Sequence, residues 1–115
     1  MAHTPLTFAD NTFTKEVLNS SQPVLVDFWA PWCAPCRVVS PIVDDLAREY
    51  GDRVKIGKVN IDDNEALAFQ YDIMSIPALV VFKDGRPISK LVGVLPKADI
   101  AAKLEEAIAA PPQAA

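Results

Sequence analysis

Two short segments, Val24-Leu25-Val26-Asp27-Phe28-Trp29 and Ala78-Leu79-Val80-Val81-Phe82, are apolar at consecutive positions, with Asp27 the one exception. A strand with one wet face alternates apolar and polar residues. A run apolar on both faces belongs to a central strand covered from both sides. The chain must therefore build a sheet between two layers of helices, and the remaining pattern supplies those layers.

Leu6-Thr7-Phe8 reads as a weak first strand, and Asp10 or Asn11 can cap a short helix carrying Phe13, Val17 and Leu18 on one face. After the first central run, Val39, Ile42, Val43, Leu46, Ala47 and Tyr50 recur at three- and four-residue steps, the stripe of an amphipathic helix that Gly51 should stop. Pro41 falls inside that stripe, where it removes a backbone hydrogen bond to Arg37 and should kink the helix. A strand from Val54 to Ile61 and a short helix from Glu65 to Tyr71 follow. Asp84-Gly85 is a hairpin turn between the second central strand and an edge-like strand, Ile88 to Val94. Pro96 suits the first turn of a last helix whose buried stripe is Ile100, Leu104, Ala107 and Ile108. The order β-α-β-α-β-α-β-β-α predicts an α/β fold: parallel pairing early, an antiparallel hairpin late, one mixed sheet and helices on both faces.

At 115 residues the chain is expected to form one domain, 1–115, with an ordered core of about 6–108 and a frayed tail from 109 to 115. Eleven basic residues against fifteen acidic give a net charge of −4 with no Lys/Arg cluster, so no nucleic-acid partner is expected. No apolar run approaches the ~18 residues of a membrane span. The start, Met1-Ala2-His3-Thr4-Pro5, lacks the basic and apolar regions of a secretory signal. A cytoplasmic location is the expectation, although a processed organelle form would look the same.

There are two cysteines, Cys33 and Cys36, and one histidine, His3. Two cysteines cannot make the framework of a small secreted scaffold, and a closed zinc site needs four ligands, so no metal is expected. Placed between a strand and a helix, the pair puts the first sulfur at the helix N-terminus, where unpaired N–H groups and the helix dipole favour thiolate over thiol. The second cysteine lies about one turn further in, within reach of a disulfide. Cys33 should attack and Cys36 resolve; Ala34 and Pro35 restrict the loop between them without adding a titratable side chain. Asp27 alternates with Leu25 and Trp29 on one face of an apolar strand. An unpaired carboxylate there is costly, so its pKa should rise unless it is tied up in a structural pair.

The segment Val26 to Cys36, Val-Asp-Phe-Trp-Ala-Pro-Trp-Cys-Ala-Pro-Cys, resembles the active-site segment of the thioredoxin family. The resemblance continues through Pro41, Lys58 to Asp62, Ser75-Ile76-Pro77, Phe82 to Gly85 and Val92-Gly93, and covers the chain from about Leu6 to Ile108. It implies the thioredoxin fold, a five-stranded mixed sheet in order 1-3-2-4-5 flanked by four helices. It also implies a protein-disulfide reductase that binds no cofactor beyond its own Cys33–Cys36 disulfide. The partners it implies are disulfide-containing proteins and a separate thioredoxin reductase, NADPH- or ferredoxin-dependent; a monomer is expected. Asp27 would lie beneath the disulfide as general acid/base, accepting the Cys36 proton, with Lys58 nearby to modulate it; a solvent-facing lysine is the alternative at that position. Pro77 would be the cis-proline opposite the cysteines, leaving the Ser75 and Ile76 backbone free for an extended substrate. Trp32, Ile76, Pro77, Val92 and Gly93 would form a flat apolar rim, with Trp29 packed beneath.

Three positions depart from the family pattern: Ala34 and Ser75 stand where glycine is common, and Ala78 where threonine is common. Ala34 should perturb the redox potential mildly. Oxidants and isomerases of this fold generally carry histidine between the cysteines, which Ala34-Pro35 lacks. A binding subunit that stabilises a partner without redox turnover is the alternative from another class, and the joint presence of both cysteines, Asp27 and Pro77 argues against it.

Overall fold

The computed structural model describes residues 3–112. Five strands form one sheet: β1 (Leu6–Thr7), β2 (Val24–Trp29), β3 (Lys55–Asn60), β4 (Ala78–Lys83) and β5 (Arg86–Val92). Their order is β1-β3-β2-β4-β5, with β1 and β2 parallel to β3, and β4 antiparallel to both β2 and β5. Four helical segments flank it: α1 (Thr14–Leu18), α2 (Ala34–Tyr50), α3 (Glu65–Gln70) and α4 (Lys97–Ala109).

The two apolar runs are the central strands, and their side chains divide between two cores. Leu25, Ile56, Leu79 and Val81 pack under Val39, Val43 and Leu46 of α2 and Ile100 and Leu104 of α4. Val24, Val26, Phe28, Val80 and Phe82 face the other way, onto Phe8, Phe13, Val17 and Leu67. That second face is aromatic: the Phe13 ring meets Phe8 and Phe82 edge-on, at centroid distances of 6.4 and 5.5 Å. Each such side chain contributes roughly 1.5–3 kcal/mol by leaving water.

Local details differ from the sequence expectation in three places. Asp10 does not cap α1, which begins after Phe13 without a side-chain cap and is a single wide turn closed by Asn19 N–H to Thr14 O. Instead the Asp10 carboxylate accepts the Leu67 N–H, while the Asp10 N–H donates to Asn64 Oδ1. An orphan donor in the first turn of α3 is thus satisfied from 57 residues away. Gly51 ends α2 in a right-handed conformation, φ −56°, and not in the left-handed cap that glycine usually supplies. Close approach is the reason for glycine here, since a Cβ would run into the His3 ring and the Ala47 carbonyl. The last strand is Arg86–Val92, earlier than expected, because Asp84 and Gly85, at φ 52° and 80°, turn the chain within two residues.

Helix α2 runs on through Pro41, which is exposed. Helix α4 extends through Ala109, and Lys83 Nζ donates to the Ala107 and Ala110 carbonyls at its C-terminus. The outermost part of the expected frayed tail, 113–115, lies outside the described residues.

Gly57 sits in β3 directly against the buried Phe8 ring. Gly57→Ala places a methyl group within that ring's volume and should destabilise the fold by about 1–3 kcal/mol, read from the chemical denaturation midpoint.

Candidate active site

Strand β2 ends at Trp29 and α2 begins at Ala34 after four intervening residues, so the Cys33–Cys36 pair stands where a central strand hands over to a helix N-terminus. Cys33 is the N-cap of α2, with extended backbone, and its sulfur accepts the Cys36 N–H at 3.3 Å. Ala34 and Pro35 are the first two helical residues, and no acidic side chain sits in the first turn. Free N–H groups and a positive dipole end therefore act on the Cys33 sulfur without an opposing charge from that turn. The two sulfurs form a disulfide, with Cα atoms 5.3 Å apart. Both cysteines are buried, packed with Ala30 and against Trp29, Ile61 and Ile76.

Around the disulfide the expected rim is present in part. Trp32 is 66% exposed, and Ser75, Val92 and Val94 are exposed; Ile76 and Gly93 are half-buried. Pro77 differs from expectation by being buried, and the Ile76–Pro77 peptide bond is cis. The Pro77 carbonyl accepts the Gly93 N–H at 2.9 Å, which ties the loop before β4 to the end of β5. Two features of the rim were not read from the sequence. Asp62 accepts the Trp32 indole N–H at 3.1 Å and fixes an otherwise free ring. Met74, beside Ser75 in the chain, is 84% exposed and adds a flexible apolar side chain there.

Beneath lies a cavity of about 150 Å³ lined by Asp27, Trp29, Ala30, Pro31, Cys36, Arg37, Ser40 and Lys58. Asp27 is 2% exposed, and its Oδ1 is buried without a hydrogen-bond partner. Burial pushes its carboxyl from the ordinary 3.8 up to about 7; the Lys58 ammonium opposes this and the Asp44 carboxylate adds to it. Lys58 is the register partner of Asp27 on β3, yet its Nζ donates to Ser40 Oγ at 2.7 Å and to Asp44 Oδ1 at 3.1 Å. Arg37 is turned outward, its guanidinium donating to the Pro31 carbonyl. A carboxyl that titrates near neutrality and shares a cavity with Cys36 can exchange a proton with it.

Among the described residues no group of three His, Cys, Asp or Glu side chains is placed to hold a metal ion, and no helix is long and apolar enough to cross a membrane.

A thioredoxin family profile matches residues 4–106. Over 97 residues the chain is 56% identical to thioredoxin 1 of Synechococcus elongatus, covering 84% of this chain and 91% of that protein. It is 50% identical over 99 residues to thioredoxin of Pyropia yezoensis, covering 86% and 92%. It is 50% identical over 97 residues to the chloroplastic M-type thioredoxin of Chlamydomonas reinhardtii, covering 84% and 69%.

Proposed function

The chain belongs to the thioredoxin family, and on that premise we propose that Cys33 is its attacking nucleophile, Cys36 the resolving thiol and Asp27 the proton acceptor for Cys36. The protein is a thiol–disulfide oxidoreductase that reduces protein disulfides. Its redox-active group is its own Cys33–Cys36 pair. The observation that carries the assignment of roles is the position of Cys33 as N-cap of α2, its sulfur facing the Cys36 N–H.

In the dithiol form, the Cys33 thiolate attacks one sulfur of a substrate disulfide. A Cys33–substrate mixed disulfide forms, and the other substrate sulfur leaves as thiolate. Cys36 then gives its proton to the Asp27 carboxylate and attacks the Cys33 sulfur. The Cys33–Cys36 disulfide closes, the second substrate sulfur leaves, and two electrons have passed to the substrate. The cavity between Asp27 and Cys36 is roomy enough for a water to relay the proton. Lys58 modulates the basicity of Asp27. Trp32, Ser75, Ile76, Val92 and Gly93 receive the substrate chain, and Pro77 shapes that surface from within. An apolar rim asks little of the substrate's side chains, which suits a reductase of many targets.

A reductase partner returns the disulfide to the dithiol, and we assign it to the NADPH- or ferredoxin-dependent class. The cytoplasm is the compartment we propose, and an organelle interior suits the same chemistry. Reduction of insulin disulfides, coupled to a thioredoxin reductase, tests the activity; a binding subunit without turnover would give none.

In the reduced protein at pH 7, brief alkylation followed by peptide mapping should modify Cys33 well before Cys36. Modification of Cys36 first would reverse the two roles.

A further inference from the structure

Asp27 and Lys58 face each other across adjacent strands, and a buried carboxylate beside an ammonium would ordinarily be paired with it. In this molecule the Lys58 ammonium reaches past it. Ser40 and Asp44 are four residues apart on α2, so a hydroxyl and a carboxylate stand one above the other on a single helix face. Together they take the Lys58 Nζ at 2.7 and 3.1 Å, and Asp27 Oδ1 is left without a partner. We propose that Ser40, with Asp44, is a positioning residue of the disulfide exchange, holding the Lys58 ammonium against α2 and so keeping it from pairing with Asp27.

The effect on the chemistry follows from charge. An ammonium bonded to Asp27 would stabilise the carboxylate, and a stabilised carboxylate is a poorer proton acceptor for Cys36. With its positive charge shared with Asp44, Lys58 acts on Asp27 more weakly. The other groups around Asp27 do not substitute for this arrangement. Arg37 of α2 is bonded to the Pro31 carbonyl, Leu79 faces Asp27 from β4, and α4 presents Ile100, Leu104 and Ala107 to that core. This inference rests on Asp27 as the proton acceptor, and its test reads Asp27 directly and not only through the rate.

The measurement is the NMR titration of the Asp27 carboxyl carbon in the full-length oxidised protein. Ser40→Ala frees one of the two anchors of Lys58 and should lower the Asp27 midpoint by about half a pH unit. Asp44→Asn should lower it further, while Ser40→Thr, which keeps a hydroxyl, should restore the wild-type value. In a Lys58→Met background, Ser40→Ala should leave the midpoint where Lys58→Met alone puts it. An unmoved midpoint in Ser40→Ala overturns the proposal, as does an equal shift with and without Lys58. The pH profile of disulfide reduction, recorded alongside, separates the two readings. A midpoint that falls while the rate profile stays put keeps the positioning of Lys58 and removes Asp27 as the proton acceptor.

Discussion

Cys36→Ser should yield a protein that attacks one disulfide and goes no further. Cys33 keeps its place at the N-cap of α2 and the N–H groups that favour its thiolate, because serine leaves the backbone of the first turn unchanged. The mixed disulfide forms as before, but no second thiol exists to displace the substrate, since the chain has no third cysteine. Catalytic turnover should collapse to at most about one substrate per protein molecule, the stoichiometry of the first exchange alone. Mass spectrometry of the variant mixed with a disulfide-bonded protein should show the covalent adduct at Cys33, and added dithiothreitol should release it. A Cys36→Ser variant that turns over at the wild-type rate would remove Cys36 from the resolving role. Cys33→Ser should form no adduct, which distinguishes attack by Cys33 from adventitious trapping.

Asp27→Asn should make the oxidised protein more stable and a slower reductase. The unfolded chain ionises at this position near 3.8, the folded chain near 7, because burial opposes the charge. Between those values the folded state holds the extra proton, so stability falls as pH rises through the window and levels off above it. Asparagine has no charge to desolvate. The gain should therefore be small at pH 4, grow through the window, and reach about 4 kcal/mol at pH 8 before the cost of the unpaired amide, about 1–3 kcal/mol, is taken off. Loss of the proton acceptor should slow reduction by up to about 10²-fold at neutral pH. Denaturation of wild type and variant from pH 4 to 9, beside reduction kinetics over the same range, measures both. A variant no more stable at pH 8 and unchanged in rate would mean that Asp27 neither carries the burial penalty nor takes the proton.

The parts of this molecule that were legible in its sequence are those set by local pattern. Strands β2 and β4 announce themselves because both faces of each are covered, which leaves no polar alternation. Asp27 stands out for the same reason, as the polar residue within such a run, and the Cys33–Cys36 pair follows that run after three intervening residues. The rest depends on which elements the fold brings side by side. Ser40 and Asp44 fall outside the apolar stripe of their helix, and only the arrival of β3 beneath α2 turns them into the receptor for Lys58. Asp62 has no local pattern that marks it, yet it holds the Trp32 indole across 30 residues. Asp10 reads as a cap for the helix that follows it, and instead serves α3. A polar side chain has several possible partners within reach of its backbone. Tertiary packing chooses among them, whereas the period of a buried stripe leaves no such choice.

The two faces of the sheet are chemically unequal. Asp27, Lys58, Ser40 and Cys36 gather on the side of α2, while Phe8, Phe13, Phe28 and Phe82 fill the other side. Ile61 and Ile76 touch both the aromatic core and the cysteines, so a change of volume among the phenylalanines can reach the dithiol through those two side chains. Ile61 and Ile76 are thus the hinge between bulk packing and electron-transfer poise: trimming either should be felt on both sides of the sheet at once.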